Sequence, residues 1–246
     1  MIYTLMFGSY TFPNQTFEVE SLPLVNNIKQ NTVPRRHGSI IQDPYLKARK
    51  IKVKGTIHNA TRATAWTEFM DMQEALLASE DKFYHRADRY VNCCCNKITP
   101  KFAEGTDKGV ININIDFISQ DPFFYMAAAS YSDVNNPVGV TLSFNINGLG
   151  NVFAEPIIYI CATGGTITDE IQLENQTTKE LFVFNGVVNN GVTLEIDTKD
   201  FTVENNAVDG ISEFGGDFLT VAAGSNLFRF VGATCRVTVE HKSRWY

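Results

Sequence analysis

At 246 residues, 44% apolar and 20% charged, the chain has a globular composition, and its length suits two domains better than one core. No run approaches the roughly 18 to 20 apolar residues of a membrane-spanning helix, and the N-terminus lacks the basic-then-apolar pattern of a signal peptide; neither membrane insertion nor secretion is expected, and synthesis in a cytoplasm is. The net charge of −6 is uneven: residues 1–135 hold 15 basic and 14 acidic side chains and residues 136–246 hold 6 and 13, so two domains are implied and an acidic second half argues against nucleic-acid binding.

With 18 Phe and 9 Tyr the composition favours sheets. Phe7–Tyr10 reads as a strand, Pro13-Asn14 as a turn and Phe17–Glu20 as a second, alternating strand. Asn26 to Thr32 is polar and reads as a loop. A turn with Gly38 and Asp43-Pro44 as breakers leads into the segment around which the chain is organised. There Lys50, Lys52 and Lys54 alternate with Ile51 and Val53, giving one wet basic face and one buried aliphatic face. Between Lys29 and Lys54 there are eight Lys or Arg and one acid, Asp43.

Beyond Gly55-Thr56-Ile57 the period changes. Residues 64–79 place Trp66, Phe69, Met70, Gln73, Leu76 and Leu77 at helical spacing, with Thr61 or Thr64 as N-cap and the apolar stripe expected in the core. Strands resume at Lys82–His85, at Arg89–Cys95 and at Lys108–Ile118. In the last, Ile111, Ile113, Ile115 and Phe117 share one face, and Val110, Asn112, Asn114 and Asp116 the other. Tyr131 to Pro137 is rich in turn formers and reads as a linker. After it, apolar segments near Val140–Phe144, Pro156–Cys161, Ile171–Leu173, Leu181–Phe184, Thr193–Ile196, Phe201–Val203, Phe218–Val221, Leu227–Phe230 and Thr234–Val239 alternate with turn signals. About nine strands at that spacing suggest a sandwich.

Candidate chemistry is sparse. His37, His58, His85 and His241 are scattered, and adjacent Cys93, Cys94 and Cys95 on a strand cannot turn three thiolates to one metal, so no metal and no cofactor are expected. Gly-x-Ser-x-Gly, P-loop and dinucleotide-binding patterns do not occur. Asp169 and Glu170 are adjacent on a strand and diverge, unlike paired hydrolytic carboxylates. Tyr131, Phe182, Phe184, Trp245 and Tyr246 are candidates for stacking on sugars, with Phe182 and Phe184 better explained as core. The residues point to a binding or architectural protein, not an enzyme.

Several stretches together resemble a known family: Phe7-Gly8, Arg35-Arg36-His37-Gly38, Gly55-Thr56-Ile57 with its helix, Asp88-Arg89-Tyr90, Asp121-Pro122-Phe123, Glu195-Ile196-Asp197-Thr198, and Asp217 to Gly232 followed by Arg244-Trp245-Tyr246. In this order they resemble the distal tail protein (Dit) of long-tailed, siphovirus-type bacteriophages. Within them Gly224-Ser225-Asn226 reads as a tight turn between sandwich strands. The resemblance implies a mainly β protein: a ring-forming β-barrel or split-barrel-like domain with one helix (1–130), the linker (131–137) and a galectin-like antiparallel β-sandwich (138–246). It also implies a hexameric ring at the virion's tail tip, joining the tail tube protein to the hub or tail-associated lysin-like protein, the tape measure or the receptor-binding protein. Arg35, Arg36, Lys47, Lys50, Lys52 and Lys54 are the candidate interface residues. The alternatives are a carbohydrate-binding adhesin built on the sandwich and an enzyme of unrecognised type.

Overall fold

The structure, a computed structural model, describes residues 4–13, 16–32, 39–77, 80–102, 109–136 and 141–246. The chain divides into two compact units, residues 1–124 with Tyr246 and residues 125–245.

The first unit contains β1 (Met6–Phe7), β2 (Tyr10–Thr11), β3 (Phe17–Ser21), β4 (Asn26–Thr32), β5 (Ser39–Leu46), β6 (Arg49–Asn59), α1 (Arg62–Leu76), β7 (Asp81–Arg86), β8 (Arg89–Phe102) and β9 (Gly109–Ser119). Seven of these strands follow the order β2-β1-β7-β8-β9-β6-β3. Strand β6 pairs with β9 along its whole length, Arg49 opposite Ser119 through Asn59 opposite Gly109. Its alternation is as expected: Ile51, Val53 and Ile57 are buried while Lys50, Lys52 and Lys54 are exposed. In β9 the residues Ile111, Ile113, Ile115 and Phe117 are buried, with Asn112 and Asn114 exposed opposite them. Phe117 joins the two ends of this core, its ring 5.1 Å from Phe7 and 5.2 Å from Phe83. A Cβ at Gly55 would lie 2.2 Å from the Phe17 ring, so glycine lets β3 close over β6 there.

The helix begins two residues before the expected start. Thr61 is the N-cap: its Oγ1 accepts from the Thr64 amide at 3.2 Å while Thr64 Oγ1 accepts from the Thr61 amide at 3.3 Å, a reciprocal capping box. Ala65, Phe69, Met72 and Leu76 are its buried side, facing β6 and β9. The expected core stripe is therefore rotated: Trp66, Met70 and Leu77 are 42%, 48% and 53% exposed. Two apolar stripes run side by side on this helix, and the sheet covers only one.

Three more expectations change in this unit. Phe7–Tyr10 is not one strand: Gly8-Ser9 turn between the end of β1 and the start of β2, which pair Met6 with Thr11 and Phe7 with Tyr10. Asn26–Thr32 is a strand, β4, and Asp43-Pro44 lies within β5; the register shift between Asn27 and Lys29 accommodates the breakers. Gly38 lies outside the described residues.

Strand β10 (Phe124–Met126) leads into the second unit, which continues with β11 (Ser130–Asn136), β12 (Leu142–Gly148), β13 (Ile157–Ala162), β14 (Ile171–Asn175), β15 (Glu180–Phe184), β16 (Thr193–Asp197), β17 (Thr202–Asn205), β18 (Val208–Asp209), β19 (Phe214–Gly216), β20 (Gly224–Val231), β21 (Cys235–His241) and β22 (Arg244–Trp245). Two antiparallel sheets, β11-β21-β13-β16-β17-β18 and β12-β20-β14-β15-β19, enclose a core that includes Ile158, Ile160, Leu173, Phe182, Phe184, Leu194, Ile196, Phe228, Phe230, Val237 and Val239. The expected linker is corrected: through Asn136 it is the edge strand β11, paired residue for residue with β21. Its polar residues suit an edge whose outer face is wet. Phe218–Val221 is not a strand either; it joins the fold through an isolated bridge between Ala154 and Val221, with Leu219 and Val221 buried.

The family-like motifs do structural work in this sandwich. Thr198 Oγ1 donates to the Pro156 carbonyl at 2.7 Å, and Asp197 Oδ1 accepts from the Lys199 and Asp200 amides at 2.9 and 3.1 Å. Arg244, 7% exposed, is ion-paired with Glu155 at 2.5 Å. Gly224-Ser225-Asn226 is more than a turn. Asn226 is fully buried: its Oδ1 accepts from the Ala222 amide at 2.8 Å, and its Nδ2 donates to the carbonyls of Ala222 at 2.9 Å and Gly224 at 3.0 Å.

Candidate interaction surfaces

The outer face of the first sheet carries the predicted basic residues. Lys47, Lys50, Lys52 and Lys54 are all exposed. Lys54 Nζ lies 3.3 Å from Glu18 and 4.0 Å from Glu20 on neighbouring β3, and Asp116 stands opposite Lys52 in the register, so the face is basic but partly neutralised. Arg49, counted in the same basic run, turns inward instead. It is 3% exposed with its guanidinium 4.4 Å from the Phe124 ring centre. Arg35 and Arg36 lie outside the described residues.

The two sides of this face differ in charge. Strand β3 ends the sheet with Glu18 and Glu20 exposed. On the other side the pairing of β7 with β8 stops at Cys93; from Lys97 to Phe102 strand β8 is in register with β9 and carries exposed Lys97 and Lys101.

The outward side of α1 is a surface that helical periodicity alone assigned to the core. Trp66 stacks on Phe102 at 5.6 Å, and the Arg62 guanidinium lies 4.1 Å over the same ring; these residues and Ala63 line a shallow groove. A second groove, lined by Met70, Asp71, Gln73, Glu74 and Leu77, continues along the helix.

Groups with catalytic or ligating potential are not gathered. Among the described residues no three of His, Cys, Asp and Glu come together to hold a metal ion. Cys93 is buried, which raises its thiol pKa well above the ordinary value, Cys94 is exposed, and the Cys95 thiol is pushed up to about 11 by burial. His85 lies against the Phe124 ring at 4.5 Å; burial first, then the charges of Arg86 and Arg89, lower its pKa to about 4. In the sandwich, Phe182 and Phe184 are core, whereas Tyr131 is 67% exposed and bonded to Glu240. Asp169 and Glu170 are exposed, with Glu170 accepting from Gln172.

Residues 149–245 match the family model described as the C-terminal domain of a siphovirus-type tail component, so the sandwich is similar to that domain. Over its whole length the chain has the fold of the Dit protein (gp 19.1) of phage SPP1, described as a paradigm of the hub adsorption apparatus in phages infecting Gram-positive bacteria; the two are 15% identical, each covered 100%, with a TM-score of 0.75. The resemblance to distal tail proteins is thus met by a family-model match over residues 149–245 and by a shared fold over the entire chain. Weaker likenesses are to chains of the phage P2 baseplate in its activated conformation, with Ca (10% identity, 99% of both chains, TM-score 0.46) and with Sr (10%, 97%, 0.47). No curated protein sequence matches the chain.

Proposed function

We propose that this protein is a non-catalytic subunit of the phage tail tip, forming a hexameric ring that connects the tail tube to hub and host-recognition proteins in the virion. The observation that carries this reading is the fold shared from end to end with SPP1 Dit, together with the tail-component match of the sandwich. The first unit offers what a closed ring needs. A head-to-tail contact joins two different patches of one subunit, and this sheet has one acidic side at Glu18 and Glu20 and one basic side at Lys97 and Lys101. Arg35, Arg36, Lys47, Lys50, Lys52 and Lys54 are proposed to add to the contact, the four lysines from exposed positions.

Light scattering tests it. Six copies of the 27.5 kDa chain give a species of about 165 kDa. Reversing Lys50, Lys52 and Lys54 to Glu should shift that species toward smaller mass at moderate salt, with circular dichroism as the folding control. An oligomer unchanged by the triple reversal would remove the lysines from the interface, and a monomer at every salt and protein concentration would remove the ring.

A further inference from the structure

The sandwich holds a polar groove that the tail-tip reading leaves unused. Loop residues 186–192, the β17–β18 hairpin and the short 3-10 turn Ile211–Glu213 border a cavity of about 480 Å³, within the range of small-ligand sites. Its walls are tied to one another. Asn205 and Val208 stand opposite each other in the hairpin, whose two-residue turn holds Asn206 and Ala207 at φ +56° and +58°. Asn205 Nδ2 donates to the Val187 carbonyl at 2.8 Å, joining hairpin to loop. The Gly210 amide donates to the Val203 carbonyl at 2.8 Å, and Asp209 Oδ1 accepts from the Ile211 amide at 3.0 Å, which fixes the 3-10 turn beside the hairpin.

We propose that this groove binds one or two units of an uncharged saccharide. The lining selects that chemistry. It carries two carboxylates, Asp209 and Glu213, and three carboxamides, Asn189, Asn205 and Asn206, beside the exposed side chains of Val187 and Val208. Among its described lining residues there is no Lys, Arg or His. Phosphates and other anions find no cationic partner there and meet two like charges instead. Sugar hydroxyls are donors and acceptors at once: the carboxylates accept from them, and the carboxamides both accept and donate. The C–H groups of a sugar ring meet the two valines, which gives the ligand an apolar contact next to its polar ones. Glu213 and the second oxygen of Asp209 are the acceptors assigned to ligand hydroxyls. None of the aromatic residues that the sequence offered for stacking lines the groove.

Ligand-observed NMR on the full chain decides it. Saturation transfer is measured to the methyl glycosides of glucose, galactose and N-acetylglucosamine, and a diazirine-bearing form of the glycoside that responds is photolysed and its attachment mapped by mass spectrometry. At least one glycoside should bind with a dissociation constant of about 1 mM, the reach of about thirteen heavy atoms at ordinary ligand efficiency. The label should fall within residues 186–192 or 205–213. Glu213→Gln and Asp209→Asn, each checked by its melting temperature, should weaken binding at least about tenfold, whereas Asp169→Asn, at an exposed acid outside the groove, should leave it unchanged. No transfer from any of the three glycosides at about 20 mM, label confined to other residues, or undiminished binding in either groove variant overturns the proposal. So does a response to lysine methyl ester in place of the glycosides, which gives the groove to a basic group. None of these results bears on the ring, whose test is the mass of the oligomer.

Discussion

Asn226 offers the sharpest test of how the sandwich is held. If Gly224-Ser225-Asn226 were only a tight turn, Asn226→Ala would cost little. In the structure its carboxamide is 0% exposed and ties the 222–224 loop to the start of β20, with Asn175 Nδ2 a further 3.4 Å from its oxygen. Alanine would leave the Ala222 amide and at least one carbonyl without their partners, each costing about 1 to 3 kcal/mol when buried; the partly wet position of the loop discounts this to about 3 kcal/mol in all. Asn226→Asp keeps the shape but turns an oxygen toward two carbonyl oxygens, a similar cost at pH 7. That cost should shrink in acid: repulsion raises the carboxyl pKa in the folded state above its unfolded value, so protonation favours folding, and the stability it adds is lost again as pH rises through the folded pKa. Urea unfolding read by hydrogen exchange of β12 and β20 amides reports this unit without interference from the other. An Asn226→Ala sandwich within about 0.5 kcal/mol of the original would refute the reasoning.

Two other outcomes follow from burial. Met72, fully buried under α1, should lose about 2 to 4 kcal/mol on truncation to Ala, while the exposed neighbour Met70 should lose less than about 0.5 kcal/mol in the unassembled chain; equal losses in thermal or urea unfolding would contradict the rotated stripe. His85 is lowered to about 4, so the unfolded chain binds the proton more readily between that value and the ordinary 6.5, and stability falls as pH drops through this window. Discounted for solvent screening of this partly exposed side chain, the loss from pH 7 to pH 5 is on the order of 1 kcal/mol, and His85→Leu should abolish that share of the pH dependence of unfolding.

What could be read in the sequence was whatever depended on local period. The strict alternation of Ile111 to Phe117 and of Lys50 to Lys54 gave strands with the right faces, because one side of each is packed and the other is wet. Helical period located α1 but could not choose between its two apolar stripes, since only the tertiary placement of β6 and β9 decides which is covered. Tyr131–Asn136 misled for a related reason: an edge strand tolerates turn-forming residues when its hydrogen bonds come from a distant partner, here β21. Asn26–Thr32 failed likewise, its polar run concealing a strand paired with β5. The basic residues of β6 were legible as a surface, yet the acids of β3 that temper them are brought alongside by pairing alone.

The central claim is membership of the tail tip, and labelling of intact virions tests it most directly. Gold-conjugated antibody raised against residues 149–245 should decorate one position, the end of the tail distal to the capsid, in electron micrographs. Label along the tail shaft or on the capsid, or virions that carry none of the protein, would contradict the account.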